Sequence, residues 1–427
     1  MKDDIDTPKN ENTKPAYPLY PDTKQLKNGT RKVLKTRDNV KALCDFIDYE
    51  PKMNLMTNDI HVPAELSPEI TTTEDFMSYL ISEGEKYDLS ETAIKNHFGS
   101  ICNANCFHPI RDWLDQGKWD GKPRVRKLLE AFNFTYQSLS ITVMTYWLVS
   151  AIAALYEIKF KTKLTPIIQS GQSCMKSTLI ERLATIPNIT GDSFLAEGSL
   201  DPNNRDSIKN AISVWIAELA EFESTTKSEI GKLKSFLTKS VDKVRFPYNP
   251  GTTEKQRCTI FIGTVNNQNF LKDPTGNKRF ATLPLAGPID IDTANEILGW
   301  EYKRSAPHLV YPENLRQFWL EIKALYDEGH GWNLPDSIVE QTENINKNFL
   351  EINPIEERFD KYFLTPITLK TQEFTASQVC EVLGLSDMNY VAKVGKFLTA
   401  RFGPSKRVHR KGVVHRVYEL SIRTDID

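Results

Sequence analysis

The sequence of 427 residues lacks the features that mark disulfide-linked, secreted or membrane-embedded proteins. Its six cysteines are scattered along the chain, which argues against a disulfide framework. No run of about 18 apolar residues, the length that a membrane-spanning helix needs, stands out. The first stretch, "MKDDIDTPKNENTKPAYPLYPD", is polar and rich in proline and has no apolar signal core. We therefore predict a cytoplasmic protein with no membrane span and a disordered N-terminal tail.

A strong charge imbalance is also missing, and so is a clear metal-binding motif. Lys and Arg number 54 against 56 Asp and Glu, so the net charge of −2 does not indicate a nucleic-acid partner. Cys102, Cys106 and His108 stand close together, but no second Cys/His pair accompanies them. This spacing favours a buried helix over a zinc site. Any binding function must therefore come from local motifs.

The spacing of apolar residues divides the chain into five regions. They are a polar tail with a short helix, a helical region, a mixed core, a second helical segment and a small C-terminal module, at residues 1–60, 61–160, 161–287, 288–355 and 356–427. In the core, the apolar runs "LTPIIQ", "AISVWIAEL" and "CTIFIGTV" alternate with helical stretches. This alternation predicts an α/β fold with a parallel sheet covered by helices on both faces.

Side-chain caps mark the starts of three predicted helices. Thr36 suits the N-cap position of a helix within "TRDNVKALCDFIDYE". Thr226 with Glu229, and Thr375 with Gln378, both fit a capping box.

The stretch "IIQSGQSCMKSTLIERLATIP" has the outline of a phosphate-binding loop between a strand and a helix. Against the pattern G-x-x-x-x-G-K-[ST], Lys176 and Ser177 match, whereas Ser170 and Met175 replace the two glycines. A side chain at the second glycine position hinders the backbone angles that such a loop uses, at a strain of about 1–2 kcal/mol. Taken alone, the stretch fits an ordinary strand-turn-helix with an exposed Lys equally well.

Polar residues that follow the next predicted strands strengthen the case for a nucleotide site. The apolar strand in "AISVWIAELAEF" ends in acids at Glu218 and Glu221, and "CTIFIGTV" ends near Thr264 and Asn266. Arg279 follows in "DPTGNKRF". Each has a simpler explanation as a solvated strand end or a surface Arg. Their order after the loop is typical of a site that binds Mg²⁺ and ATP.

These motifs resemble the virulence-associated E family, whose core is an AAA+ helicase of superfamily 3 found in phage, plasmid and satellite replication proteins. The resemblance rests on "WIAELAEF", "FIGTVN" and "DPTGNKRF", with "HPIRDWLDQGKWDGKPRV" upstream and "LRQFWLEIKALYDEG" downstream. It covers roughly Asn39 to Phe363. The family expects glycine where this chain has Ser170, Ser173 and Met175. That departure concerns the catalytic rate rather than the fold.

The resemblance implies an AAA+ P-loop NTPase core with a parallel sheet, an N-terminal helical region and a C-terminal winged-helix domain. ATP would lie on the loop residues Gly171, Gln172, Ser173, Cys174, Met175, Lys176, Ser177 and Thr178.

Individual roles follow from the same resemblance. Lys176 would contact the β- and γ-phosphates, and Ser177 and Glu218 would hold Mg²⁺. Glu221 would orient the attacking water, although it and Glu218 could exchange roles. Asn266 would position that water, and Arg279 would act as an arginine finger from a neighbouring subunit. A finger of this kind implies a homo-oligomeric ring, which the resemblance suggests is a hexamer.

Two further segments are candidates for DNA binding. Between the acids and Asn266, "VDKVRFPYNPGTTEKQRC" predicts a β-hairpin about the turn Asn249-Pro250-Gly251. In superfamily 3 helicases a hairpin at this place enters the ring channel and grips single-stranded DNA, for which the candidates are Lys243, Arg245, Lys255 and Arg257. The alternative is a solvated hairpin.

The C-terminal module predicts a helix that ends near Gly384, a second helix at about 388–400, and two strands joined at Lys411-Gly412. Helix, turn, helix and hairpin is the order of a winged helix. Its cations suit duplex DNA, with Lys393, Lys406, Arg407, Arg410 and Lys411 as the contact residues. Winged helices also dock proteins, so that reading stays open.

Together these features predict an ATP-dependent DNA helicase or replication initiator of a mobile genetic element that works as an AAA+ ring. One alternative is an ATPase-impaired scaffold that binds DNA or a partner. The other is an AAA+ switch that uses ATP for assembly.

Overall fold

A computed structural model describes most of the chain, and every structural statement below refers to that part. It comprises residues 15–62, 69–189, 191–198, 200–201, 203–219, 227–244, 253–272, 277–350, 354–364, 372–385, 388–410 and 412–422. The chain forms two compact units, residues 1–349 and 350–427. The sequence-based boundary, after residue 355, falls inside a helix that begins at Pro354.

The first unit opens with short strands and three helices that share their own apolar core. In chain order these are β1 (Thr23–Gln25), β2 (Arg31–Val33), α1 (Arg37–Phe46), β3 (Met53–Asn54), β4 (Asp59–Ile60), α2 (Thr73–Lys86), α3 (Glu91–Asn103) and β5 (Cys106–Phe107). The predicted cap of α1 is confirmed, because the Thr36 side chain accepts a hydrogen bond from the Asn39 N–H. Cys102 and His108 are buried, and the described residues contain no group of three metal-binding side chains.

Helices then lead into the central sheet. They are α4 (Pro109–Asp115), α5 (Val125–Glu130) and α6 (Gln137–Tyr156). The sheet region comprises β6 (Thr165–Gln169), α7 (Lys176–Ala184), β7 (Phe194–Gly198), α8 (Arg205–Ile212), β8 (Ile216–Leu219), α9 (Lys227–Leu237), β9 (Val241–Val244), β10 (Thr253–Gln256), β11 (Ile260–Val265) and β12 (Phe280–Pro284).

Five of these strands form one parallel sheet in the order β12-β6-β11-β8-β7. The predicted α/β fold with a parallel sheet is thus confirmed. The residues of β6 and β12 are all buried, as expected of strands with covered faces. Because all five strands are parallel, their carboxyl ends meet at one edge of the sheet.

Helix α6 differs from the sequence-based expectation about membrane spans. It contains no charged residue and is long and apolar enough to cross a membrane, which inspection of the sequence missed. About two thirds of its most apolar stretch is buried inside the protein. Trp147 on this helix donates its indole N–H to the Phe261 carbonyl at 2.9 Å, and Trp215 donates to Ala151 at 3.0 Å. These bonds hold α6 against the sheet.

After the sheet, the first unit continues with helices and one hairpin. They are α10 (Ile291–Leu298), β13 (Trp300–Lys303), β14 (Ala306–Leu309), α11 (Pro312–Asp327), α12 (Asp336–Asn346) and a 3-10 turn (Lys347–Phe349). Helix α11 holds the loop before α5, because Gln317 accepts from the Asp120 N–H and Glu321 from the Val125 N–H. This contact gives a structural reason for the motifs "HPIRDWLDQGKWDGKPRV" and "LRQFWLEIKALYDEG".

In the part of the second unit that the structure describes, three helices accompany a small antiparallel sheet. Its elements are α13 (Pro354–Tyr362), β15 (Phe363–Leu364), β16 (Gln372–Thr375), α14 (Ala376–Val382), α15 (Met388–Phe402), β17 (Lys406–Arg410) and β18 (Val413–Ile422). The predicted capping box of α14 is confirmed, with Thr375 and Gln378 each bonding the other's backbone. The capping box predicted at Thr226 lies outside the described residues. Strand β18 pairs with β15, β16 and β17.

Candidate active site

The candidate loop connects the buried strand β6 to helix α7 and lies at the carboxyl edge of the sheet. Two of its residues occupy the left-handed region of the backbone, Ser173 with φ of 62° and Met175 with φ of 60°. The strain expected from the sequence at Met175 therefore has a structural basis, and Ser173 adopts the same backbone conformation. The Met175 side chain is 43% exposed, at the start of α7.

The candidate loop residues differ in exposure. Gly171, Gln172 and Ser173 are exposed, whereas Cys174, Ser177 and Thr178 are half-buried. The loop therefore exposes polar groups close to the N-terminus of α7.

Lys176 is buried and turns back over the loop. Its Nζ donates to the Ser170 Oγ at 2.9 Å, to the Ser170 and Gly171 carbonyls at 3.2 and 3.0 Å, and to the Asn266 Oδ1 at 3.0 Å. Ser170, which replaces a glycine, thus supplies a hydroxyl for the lysine. In this structure the ammonium group therefore bonds the loop's own oxygen atoms and Asn266.

Glu218 lies at the centre of a second group of polar atoms. Its Oε1 accepts from the Ser177 Oγ at 2.5 Å and from the Thr264 Oγ1 at 2.6 Å. Its Oε2 is buried, with no hydrogen-bond partner in the described part of the chain. One carboxylate oxygen without a partner beside two hydroxyl oxygens is a donor set that fits a hard cation such as Mg²⁺.

The strand order explains why these residues meet. Strand β11 lies between β6 and β8, so side chains that follow three neighbouring strands converge at one edge. Thr264 lies near the end of β11 and Asn266 directly follows it, whereas Glu218 lies in β8 and Lys176 in the helix after β6. The bond between Thr264 and Glu218 could not be predicted from the sequence, since it depends on the register of neighbouring strands. Glu221 lies outside the described residues.

Arg279 lies at the opposite, amino edge of the sheet. It precedes β12, whose first residue pairs with Thr165 at the start of β6, and its carbonyl accepts from the Thr165 N–H at 2.8 Å. Five residue steps along β6 separate that end from the loop, or about 16 Å. Arg279 therefore does not join the group formed by Lys176 and Glu218.

The two strands of the hairpin predicted as a DNA-binding candidate are present as the antiparallel pair of β9 and β10, whereas the predicted turn Asn249-Pro250-Gly251 lies outside the described residues. Two of the cations predicted to contact DNA are buried. Lys255 is 4% exposed and donates to the Ile212 carbonyl at 2.9 Å, and Arg257 is 3% exposed and pairs with Asp242 at 2.6 Å. Burial lowers the pKa of both groups. The sequence-based prediction for these two residues is therefore corrected to a structural role.

The other two predicted cations of the hairpin remain candidates. Lys243 is exposed and forms an ion pair with Glu254 at 3.2 Å. Arg245 lies outside the described residues.

The cations predicted in the second unit are mostly exposed. Lys393 lies over the Tyr390 ring, and Lys406 pairs with Glu419. Arg407 lies directly across from Arg416 in the β17–β18 pair, and both are exposed. The Arg410 side chain and Lys411 lie outside the described part.

Comparison with known proteins identifies the family. The sequence model of the virulence-associated protein E-like domain matches residues 114–351, more than half of the chain. No curated protein gives a significant match. Among solved structures, two apo structures of the NrS-1 C-terminal region (305-718) are each 17% identical. One has a TM-score of 0.41 and covers 73% of this chain and 78% of its own. The other has a TM-score of 0.43, and the match covers 72% of this chain and 78% of that structure's chain. The chain thus belongs to the virulence-associated protein E-like domain family.

Proposed function

We propose that this protein is an ATPase that drives DNA unwinding or replication initiation for a mobile genetic element. The observation that supports the proposal most strongly is the convergence of Lys176, Ser177, Glu218 and Asn266 at the carboxyl edge of a parallel sheet. A Lys, a hydroxyl, an acid and an amide in contact are the groups that phosphoryl transfer from ATP requires.

Each residue has a defined part in this proposal. Lys176 leaves its loop carbonyls to neutralise the β- and γ-phosphates of ATP. Ser177 and Glu218 hold Mg²⁺, which supplies charge neutralisation on the phosphates when it is bound. Thr264 and Asn266 orient the attacking water, Thr264 through its bond to Glu218 and Asn266 through its contact with Lys176. Glu221 is proposed to assist on grounds of sequence alone.

Arg279 acts in this proposal on the site of a neighbouring copy. Its position at the amino edge, about 16 Å along β6 from the loop, supports a contact with a neighbouring subunit's ATP over one with ATP in its own subunit. A head-to-tail association of subunits would bring that edge to the next subunit's carboxyl edge and could close into a ring, proposed as a hexamer.

DNA contacts are proposed for both units. Lys243, with Arg245, would track single-stranded DNA in the ring channel. The order α13, β16, α14, α15, β17, β18 fits a winged helix that contacts duplex DNA. The exposed like-charged pair Arg407 and Arg416 favours a phosphate ligand, because two cations on opposite strands repel each other without one.

ATP hydrolysis by the purified full chain, measured with Mg²⁺ and with or without single-stranded DNA, tests the proposal. Lys176→Ala and Glu218→Gln should each lower the rate at least about 100-fold, because each removes a charge that acts on the phosphates or on the metal. Lys232→Ala, an exposed lysine on α9, is the matched control and should retain the wild-type rate. Hydrolysis by Lys176→Ala at the wild-type rate would show that the site is elsewhere.

A second candidate function is supported by the loop backbone. Ser173 and Met175 both hold strained left-handed conformations, and Met175 carries an exposed side chain at the start of the helix. These features favour a scaffold that binds DNA or a partner with little hydrolysis, or a switch that uses ATP binding for assembly. Wild-type protein that binds DNA and ATP but does not hydrolyse ATP would support this candidate over the motor.

A further inference from the structure

Arg279 lies in a tight turn whose residues accept hydrogen bonds from buried polar side chains of two helices. The turn runs from Asn277 to Phe280 and is closed by the Phe280 N–H donating to the Asn277 carbonyl at 2.9 Å. Arg279 is half-buried, and its Nε has no hydrogen-bond partner among the described residues. The turn is thus fixed through its backbone, while the end of the Arg279 side chain has no described acid as a partner.

Asn346, the last residue of α12, is 3% exposed and bonds three backbone groups around this turn. Its Oδ1 accepts from the Thr282 N–H at 3.1 Å. Its Nδ2 donates to the Phe280 carbonyl at 2.7 Å and to the Asn277 carbonyl at 3.4 Å. Strand β12 is at the edge of the sheet, so one side-chain amide satisfies groups that a further strand would otherwise bond.

Lys234 on α9 approaches the same turn from another element. It is 7% exposed, and its Nζ donates to the Asn277 Oδ1 at 3.3 Å and lies 5.8 Å from the centre of the Phe280 ring. Burying a lysine is unfavourable unless its charge is used, and an apolar residue would fill the same space at lower cost. The Lys234 side chain therefore contacts the turn through both a polar atom of Asn277 and the Phe280 ring.

We propose that Lys234 and Asn346 are positioning residues that hold the Arg279 turn in the geometry required at a neighbouring subunit's site. The inference rests on the proposed ATPase function and on Arg279 acting between subunits. Neither residue touches ATP. Each acts through the backbone or side chain of the turn, so losing it lowers the rate of hydrolysis and leaves ATP affinity unchanged.

The test uses full-length chains with single changes and measures kcat and ATP affinity separately. Asn346→Asp keeps the size of the side chain but turns an oxygen towards the Phe280 and Asn277 carbonyls, which repel it. Lys234→Met removes the charge and keeps most of the volume. Each should lower kcat at least about tenfold through displacement of the turn, with the Kd for ATP within about twofold of wild type.

Two matched controls carry the same chemical changes at exposed positions of the same helices. Asn344→Asp lies on α12 and Lys232→Met on α9, and both should retain the wild-type kcat.

Assemblies mixed from two variants show whether a loss of hydrolysis comes from a displaced Arg279 turn or from a misfolded subunit. An Asn346→Asp subunit keeps its own loop, and a Lys176→Ala subunit keeps its own Arg279 turn. Mixing the two should restore hydrolysis above the sum of the separate variants, as mixing Arg279→Ala with Lys176→Ala should.

Each outcome decides a different claim. Wild-type kcat in Asn346→Asp and Lys234→Met would overturn this inference and leave the proposed ATPase intact. Reduced kcat without recovery on mixing would also overturn it. No hydrolysis by the wild-type protein would overturn the proposed motor function and this inference together.

Discussion

At the scale of single residues, the candidate loop shows how a side chain can be tolerated at a glycine position. Met175 adopts φ of 60° and ψ of 24° in the structure itself. The strain therefore lowers the free energy of unfolding, and ligand binding does not have to introduce it. Met175 is unbranched and its side chain is partly exposed, so the cost is confined to the backbone.

We predict that Met175→Gly raises the free energy of unfolding by about 1 kcal/mol, because glycine adopts this conformation without strain. The gain is smaller than the full strain, since glycine also gives the unfolded chain more freedom. Urea denaturation measures the change. Met175→Ala removes the same side chain but keeps Cβ, so it should show no comparable gain. A glycine variant less stable than the alanine variant would contradict the strain argument.

At the scale of elements, the β9–β10 ribbon contains two ion pairs in very different surroundings. Asp242 and Arg257 pair across the ribbon with side chains 4% and 2% exposed. Arg257 also lies 4.4 Å from the centre of the Phe236 ring. Lys243 and Glu254 pair across the same ribbon with side chains 72% and 61% exposed. The ribbon is therefore anchored by its buried pair.

We predict that Asp242→Ala lowers the free energy of unfolding by about 3–5 kcal/mol, because it leaves the Arg257 charge buried without its partner. Glu254→Ala removes the exposed pair of the same ribbon and should cost at most about 0.5 kcal/mol. Chemical denaturation of both variants gives the comparison. Equal effects would mean that the buried pair does not anchor the ribbon.

At the scale of the whole molecule, the candidate ATP site and the candidate DNA-binding arginines lie in different units. The first unit holds the Lys176 and Glu218 site, and the second holds the exposed Arg407 and Arg416 pair. If the second unit binds duplex DNA, its contacts should be electrostatic and separable from hydrolysis.

We predict that the double change Arg407→Ala and Arg416→Ala weakens duplex DNA binding and reduces its salt dependence. The slope of log affinity against log salt should fall by up to about 1.8 units, if each Arg neutralises one phosphate. Fluorescence anisotropy at several salt concentrations measures both quantities, and hydrolysis without DNA should be unchanged. Lys361→Ala, an exposed lysine on α13, is the control. Unchanged affinity and slope would favour a protein-docking role for this unit.

Features that depend on neighbouring residues could be predicted from the sequence. The caps at Thr36 and Thr375, the helix from Met388 and the strand-loop-helix around Lys176 all follow from interactions within a few residues. The buried strands were recognisable because apolar runs between helical stretches leave few alternatives to a parallel sheet. The left-handed backbone at Met175 could also be predicted, because it follows from the place of Met175 in the loop motif, where glycine is expected.

The tertiary structure alone decided which distant residues meet. It buried Lys255 and Arg257, which the sequence presents as two more cations of an exposed hairpin. In the folded chain, Thr264 bonds Glu218, and Arg279 lies at the amino edge of the sheet, opposite the edge that carries Lys176 and Glu218. Strand order, register and burial come from packing between segments far apart in the chain, which the local pattern of residues does not encode.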